Sequence, residues 1–268
     1  MDDAAIGRAA SLIGSARLAR RPLVSLPAEC RPSDERDAYR VQEAVNRFLT
    51  TSGAGPLAGH KIGCTSPVMQ AYLQIQNPCA GGVFANTMHH GIGTFRTADH
   101  VRLGVECEIA VQLSADLDGR RSGPGTRGGR AAVADAVGAV MASIEVVDDR
   151  YADYRTIGTA TLIADNFFNA GGVLGDAVGD WRRLDLASLT GRMLVNGREV
   201  GWGRGRDILG HPLEALAWLM GNMASRGQAL NRGDFVTLGS MVTTQWVGAG
   251  DTVRIEIDGL GEAFATIA

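Results

Sequence analysis

The sequence predicts an α+β fold in which a helical N-terminal segment precedes a larger, strand-rich domain. Apolar side chains recur at helical spacing before residue 50, whereas short apolar runs that end at glycine dominate the rest of the chain. The 268 residues include 36 glycines, well above the usual ~7%, and their dispersal is typical of tight turns between short strands. Helices and strands that segregate in this way are typical of an α+β protein. We therefore predict a helical segment at 1–59 and a second domain at 60–268.

The N-terminal segment contains two predicted helices. Apolar residues with a period near 3.6 predict the first helix over 2–20. Pro22 and Pro27 break the chain, and the sequence Ser33-Asp34 is a good N-cap for a second helix that runs to about residue 49. No side chain in this segment suggests chemistry.

Strands dominate the predicted elements of the second domain. Residues 60–65 and 81–85 are expected to be strands on either side of a helical turn at 67–73, and 101–114 alternates as a strand should. The density of Gly and Pro at 118–130 predicts a loop. The remaining predictions are helices at 131–142 and within 209–225, a hairpin at 193–202, and strands at 143–147, 235–238, 243–247 and 253–257.

Composition excludes several classes of protein. The net charge of −3 argues against a nucleic-acid-binding domain, which is usually basic. The chain has no run of about 20 apolar residues that would predict a membrane span. Its N-terminus does not resemble a secretory signal. The four cysteines form no Cys-x-x-Cys pair, so we expect reduced thiols in a cytoplasmic protein.

Lys61 is the only lysine among 26 basic Lys and Arg residues. A buried lysine can give up its proton and act as an acid or a base, whereas an arginine cannot. Lys61 is therefore a candidate catalytic residue, and its survival by chance is the alternative.

Three glutamates form a candidate metal site. Glu106 and Glu108 share one face of the predicted strand 101–114, although a polar outer face of a half-exposed strand would give the same pattern. Glu145 lies among β-branched residues, where an unpaired carboxylate would be costly to bury. Three carboxylates can share a hard divalent cation such as Mg²⁺, Mn²⁺ or Ca²⁺, and leave positions for water or a chelating substrate.

The sequence resembles the 2-keto-4-pentenoate hydratase and 4-oxalocrotonate decarboxylase branch of the fumarylacetoacetate hydrolase superfamily. The resemblance extends from about residue 32 to the end. It is carried, in chain order, by 59–66 (GHKIGCTS), 105–110 (VECEIA), 144–148 (IEVVD), 163–166 (IADN), 203–205 (GRG), 210–212 (GHP), 250–251 (GD) and 257–261 (IDGLG).

The resemblance implies the superfamily's mixed β-sandwich roll, with 60–268 as the catalytic domain. It also implies that Glu106, Glu108 and Glu145 bind Mg²⁺ or Mn²⁺ beside Lys61, whose pKa would be lowered by burial and by the cation. A homo-oligomer is usual in the family. Residues expected to touch a small unsaturated 2-oxo or 2-hydroxy acid are Ser66, Leu73, Cys79, Asp165 and Ser240.

One position departs from the family pattern. Hydratases of this branch tend to have an acidic residue about eighteen positions after the lysine, where this chain has Cys79. A thiol cannot serve as a carboxylate base, although it can donate a weak hydrogen bond, or titrate if its pKa is lowered.

The resemblance implies a metal-dependent hydratase that converts a 2-hydroxy-2,4-dienoate to a 4-hydroxy-2-oxo acid, as part of aromatic catabolism. Cys79 makes decarboxylation of a 2-oxo-hexenedioate the main alternative. An acylpyruvate-type carbon–carbon hydrolase is disfavoured because no histidine precedes His60. A non-catalytic subunit in complex with a partner lyase is the remaining alternative.

Overall fold

Two β-sheets and the helices that cover them form the framework of the computed structural model, which describes residues 1–119 and 129–268. The predicted α+β class is confirmed. The helices are α1 (Asp3–Leu18), α2 (Glu35–Leu49), α3 (Pro67–Leu73), α4 (Arg130–Ala134), α5 (Thr159–Ala164) and α6 (Pro212–Ser225). None of the helices in the described ranges has the length and apolarity that crossing a membrane requires.

The strands are mostly short and are often separated by a turn with a glycine. They are β1 (Leu57–Gly63), β2 (Cys79–Phe84), β3 (Met88–His90), β4 (Ile92–Phe95), β5 (Leu103–Leu113), β6 (Val137–Asp148), β7 (Asn169–Leu174), β8 (Thr190–Val195), β9 (Arg198–Arg204), β10 (Phe235–Ser240), β11 (Gln245–Trp246), β12 (Thr252–Ile257) and β13 (Gly261–Ile267).

The larger sheet has the strand order β2-β1-β10-β5-β6-β7-β3, and β11 pairs separately with β5. The long antiparallel pair β5–β6 lies near its middle, and β1 reaches β5 through β10. Lys61 pairs with Thr237, and Thr237 pairs with Ala110. Because paired residues share a face, Lys61 faces the same side of this sheet as the even-numbered residues of β5.

The smaller sheet has the order β4-β13-β12-β8-β9. One large cluster of buried apolar side chains, including Cys107, Ile109, Met193 and Ile255, joins the two sheets. These odd-numbered β5 side chains fill the core, so the even-numbered glutamates point to the opposite face of the larger sheet.

The N-terminal helices pack together around a separate apolar cluster that includes Ile13, Val45 and Phe84. Asp2 and Asp34 cap α1 and α2 by accepting hydrogen bonds from Ala5 N and Asp37 N. The division into segments 1–59 and 60–268 stays a prediction, although the first strand begins at Leu57.

Two predictions of local structure are wrong. The helix expected over 131–142 ends at Ala134, and β6 begins at Val137. Both faces of β6 are buried, and nearly all of its residues are inaccessible to solvent. Its sequence therefore lacks the apolar and polar alternation that distinguishes a strand from a helix. The strand expected over 243–247 shortens to β11. Most of the loop predicted at 118–130 lies outside the described residues.

Candidate metal centre

Glu106, Glu108 and Glu145 meet on one face of the larger sheet. Glu106 lies directly opposite Glu145 across the β5–β6 pair, and Glu108 lies opposite Ser143. One carboxylate oxygen from each glutamate lies within 4.8 Å of the others. The structure therefore brings together the three side chains that the sequence singled out.

Two of the three carboxylates are oriented by donors from the segment around β10 and β11. Thr244 Oγ1 donates to Glu106 Oε1. The backbone N–H of Gly239 donates to Glu108 Oε2 over 2.9 Å. Gly239 has φ of +115°, and a Cβ there would lie 2.3 Å from Thr65 Oγ1, so the position requires glycine.

Glu145 is held through one oxygen only. Its Oε1 accepts a hydrogen bond from Asn169 Nδ2 at 3.0 Å and forms an ion pair with Lys61 Nζ at 3.2 Å. Glu145 Oε2 and Glu108 Oε1 are buried and have no hydrogen-bond partner. Unpartnered buried carboxylate oxygens are costly, so both atoms need a cation or a proton.

Burial and mutual repulsion destabilise the ionised form of the cluster, which a cation or a proton would relieve. Burial, together with the charge of Glu145, raises the pKa of Glu106, although Lys61 and the bond from Thr244 oppose this shift. Burial and the charges of Glu145 and Glu106 raise the pKa of Glu108 well above its usual value. Hard oxygen ligands at this spacing fit Mg²⁺ or Mn²⁺, and the two unpartnered oxygens are available as ligands.

Lys61 lies beside the cluster and is buried. Its Nζ donates to the backbone carbonyl of Phe167 over 3.1 Å and lies 5.2 Å from the centre of that ring. Burial works to lower the pKa of Lys61, but the carboxylates of Glu145, Glu106 and Glu108 outweigh it and raise the pKa. A divalent cation bound by these carboxylates would oppose their effect, so the lowered pKa expected for Lys61 beside a metal stays a prediction.

The carbonyl that faces Lys61 belongs to an unusual turn between α5 and β7. Asn166, Phe167 and Phe168 have φ angles of +54°, +47° and +68°. Left-handed backbone costs about 1–2 kcal/mol per non-glycine residue. The Asn166 side chain offsets part of this cost, because it donates to Asn46 Oδ1 and accepts from Gly82 N. Strain of this kind persists where surrounding contacts fix it.

Ser66 and Leu73 begin and end α3, which follows β1. Ser66 is the N-cap of the helix and accepts a hydrogen bond from Met69 N at 3.3 Å. The Leu73 carbonyl accepts a bond from Thr159 Oγ1, and its side chain packs against the main core. Their predicted contact with substrate stays a prediction.

Cys79 lies at the start of β2, opposite Gly63, and is fully buried. A hydrogen bond with Cys64, together with burial, raises the pKa of the Cys79 thiol well above its ordinary value. The thiol therefore stays protonated at neutral pH, so of the two roles left to it, weak donation and titration, only weak donation fits this environment.

Asp165 and Ser240 use their polar groups within the protein. The Asp165 carboxylate accepts from Arg17 Nη1, Arg150 Nε and the Tyr151 hydroxyl, each at 3.0 Å. This gives no support to Asp165 as a substrate contact, because both of its oxygens already bind buried donors. The Ser240 hydroxyl donates to the carbonyl of Val242 at 2.6 Å. Ser240 lies opposite Glu108 in the β10–β5 pair.

The sequence did not reveal the groups that orient the cluster. Thr244, Asn169 and the Gly239 amide come from parts of the chain that no spacing rule connects to the glutamates. Only Gly239 lies next to a residue already singled out, Ser240.

A separate cavity of about 410 Å³ lies between α2 and α6 on the opposite face of the larger sheet from Lys61. His60, Gln42 and Arg226 are among its lining residues. Burial, with the nearby charge of Arg226, lowers the pKa of His60 to about 4, so this imidazole is neutral at pH 7.

Comparisons with known proteins agree on one family. Residues 83–268 match the model of the fumarylacetoacetate (FAA) hydrolase C-terminal domain. A 2-keto-4-pentenoate hydratase of Paraburkholderia phymatum is 33% identical over 270 residues, which cover 100% of this chain and 99% of that protein. A 4-oxalocrotonate decarboxylase of Pseudomonas putida is 30% identical over 229 residues, or 85% of this chain and 84% of that protein.

A solved structure extends the similarity to three dimensions. The 4-oxalocrotonate decarboxylase from Pseudomonas putida G7, complexed with magnesium and adipate, superimposes with a TM-score of 0.91 at 26% identity. The superposition covers 100% of this chain and 99% of that structure.

Proposed function

The chain belongs to the fumarylacetoacetate hydrolase family, and on this premise we propose that it is a divalent-metal-dependent hydratase. It would add water to a 2-hydroxy-2,4-dienoate and give a 4-hydroxy-2-oxo acid. Family membership and the fold match the resemblance found in the sequence. The full-length similarity to a hydratase favours this carbon–oxygen lyase activity.

The cluster of three carboxylates beside a buried lysine is the observation that carries the proposal. Glu106, Glu108 and Glu145 would hold Mg²⁺ or Mn²⁺, and the two unpartnered oxygens of the cluster support this assignment. A bound cation would supply Lewis-acid stabilisation of negative charge on the 2-oxygen of the substrate.

Lys61 would move the proton between oxygen and carbon. In the first step, the proton of the 2-hydroxyl leaves oxygen and a proton is delivered to C5, which gives a conjugated 2-oxo-3-enoate. In the second, the hydroxyl of water adds at C4 and its proton at C3. The Phe167 carbonyl and Glu145 hold the ammonium group in place for the first step.

Substrate binding would involve Ser66 and Leu73 at the two ends of α3, Cys79 at the start of β2 and Ser240 at the end of β10. Cys79 is a neutral donor in this reading, because its thiol stays protonated. It cannot replace a carboxylate that takes a proton from water.

Decarboxylation of a 2-oxo-hexenedioate is the second candidate. It is favoured by the close structural similarity to a decarboxylase and by a thiol at position 79 where hydratases tend to have an acid. A cation held by the same cluster would stabilise the enolate, with carbon dioxide leaving instead of water adding.

Product masses distinguish these candidates. The purified protein is incubated with 2-hydroxypenta-2,4-dienoate and with 2-oxohex-3-enedioate, each with Mn²⁺ or with EDTA. We expect the dienoate to gain one water in Mn²⁺ and to stay unhydrated in EDTA. Loss of carbon dioxide from the diacid, without hydration of the dienoate, would establish the decarboxylase instead.

Assembly, location and pathway complete the proposal. We propose a cytoplasmic homo-oligomer that acts in aromatic catabolism, with a complex with a partner lyase as an alternative assembly. Light scattering of the purified chain, alone and mixed with such a lyase, measures both kinds of assembly.

A further inference from the structure

We propose that Asn169 is a positioning residue, which fixes the oxygen that Glu145 presents to the metal, and that an ion-pair cluster anchored on helix α1 holds Asn169 in place. This inference rests on the proposed metal-dependent function. It concerns residues to which the family resemblance gave no such role.

The two oxygens of Glu145 have different surroundings. Oε1 receives both donors, Asn169 Nδ2 at 3.0 Å and Lys61 Nζ at 3.2 Å, whereas Oε2 is buried without a partner. The Asn169 amide is a neutral donor bound to Oε1, so it holds the carboxylate in one orientation and leaves Oε2 as the oxygen that Glu145 presents to a metal.

Two arginines hold Asn169 through hydrogen bonds to its backbone carbonyl. Its carbonyl oxygen accepts from Arg150 Nη1 at 3.1 Å and from Arg17 Nη2 at 3.2 Å. Both guanidinium groups also bind the carboxylate of Asp165, and Arg150 Nη2 donates to the Asp165 carbonyl at 3.0 Å. Arg17 therefore links α1 to the residue that contacts a metal ligand.

The strained turn explains why such anchoring is needed. Three left-handed residues, 166–168, lead directly into Asn169, and two of them are phenylalanines, which gain nothing from this conformation. Arg150 Nη1 and Asp148 N both donate to the Phe168 carbonyl. If these donors were lost, the turn would relax toward right-handed backbone and withdraw the Asn169 amide from Glu145.

Metal affinity tests the proposal without relying on turnover. Mn²⁺ is titrated into the full chain, and the free ion is measured by electron paramagnetic resonance. We expect Asn169→Ala to raise the Mn²⁺ dissociation constant by about 10- to 100-fold. Asn169→Leu keeps nearly the volume of the side chain and gives the measurement if the alanine variant does not fold.

Gln42→Ala is the matched control. Gln42 is a buried amide that donates to the carbonyls of Ala80 and Ile163 and has no bond to the glutamates. We expect this variant to lower the melting temperature while its Mn²⁺ affinity stays within twofold of wild type.

The outcomes separate this inference from the proposed function. Wild-type affinity in the Asn169 variants would overturn the positioning role alone, because the metal site would be intact. Equal weakening in the Gln42 control would overturn it as well, since the effect would be general loosening. A wild-type chain that binds no Mn²⁺ would overturn the proposed function and this inference with it.

Discussion

Replacing Glu108 by glutamine should change stability and metal binding in opposite directions. At a separation of 4.8 Å and an effective dielectric constant of about 20, two carboxylate charges repel by about 3.5 kcal/mol. Glu108 faces two such neighbours and is fully buried. Partial protonation relieves some of this repulsion, because the pKa of Glu108 is raised. We therefore expect Glu108→Gln to stabilise the chain in EDTA by about 1–3 kcal/mol.

The hydrogen bonds of Glu108 also predict that Glu108→Gln does not destabilise the chain in EDTA. The amide oxygen can keep the bond from Gly239 N, which Glu108 Oε2 accepts now. The amide nitrogen would take the place of the unpartnered Oε1 and can donate to a neighbouring carboxylate. The substitution therefore leaves no donor or acceptor newly orphaned.

Metal stabilises wild type more than the variant. At a Mn²⁺ concentration 100 times its dissociation constant, binding stabilises a folded protein by about 2.7 kcal/mol, and a 100-fold weaker site gains only about 0.4 kcal/mol. Urea unfolding, followed by tryptophan fluorescence in EDTA and in Mn²⁺, measures both effects. The exposed Glu199→Gln is the matched control and should respond to Mn²⁺ like wild type. A Glu108→Gln chain that is less stable than wild type in EDTA, or equally stabilised by Mn²⁺, would refute the reasoning.

Three other substitutions test the surroundings of the cluster. Lys61→Arg should lower kcat by at least about 100-fold, because arginine keeps its proton; turnover within a few-fold of wild type would exclude Lys61 as the proton carrier. Because the pKa of His60 is lowered in the folded protein, the free energy of unfolding should fall as the pH drops from 6.5 to about 4, by at most about 1.4 kcal/mol per pH unit. His60→Gln should reduce this fall. Urea unfolding across this range measures the difference, and parallel curves for the two proteins would contradict it. Arg17→Met should lower the free energy of unfolding by about 1.5–3 kcal/mol, because Asp165 keeps Arg150 as a partner; unchanged urea unfolding would show that the buried ion pair adds nothing.

The sequence was sufficient for the elements with a clear period and for the charged side chains of the cluster. Strand β5 alternates because one face packs in the core, so Glu106 and Glu108 could be placed on the same face. Strand β6 is buried on both faces, and its pattern resembled a helix over 131–142. Glu145 was still found, because a lone carboxylate in an apolar run is conspicuous in any conformation.

The donors that orient the cluster could not be found in the same way. Asn169 lies 24 residues from Glu145, Gly239 lies 131 residues from Glu108, and Thr244 lies 138 residues from Glu106. Contacts at such separations depend on strand order in the larger sheet, which local periodicity does not encode.

The N-terminal helices contain no side chain that suggested chemistry, yet they support the turn whose carbonyl faces Lys61. Asn46 on α2 binds the side chain of Asn166, and Arg17 on α1 binds both Asp165 and the carbonyl of Asn169. These contacts fix both ends of a turn that left-handed backbone would otherwise disfavour. Because the turn presents one carbonyl to Lys61, the helices help to position the side chain to which we assign proton transfer. The sequence of the helices predicts only their packing, because the groups that they restrain lie more than a hundred residues away along the chain.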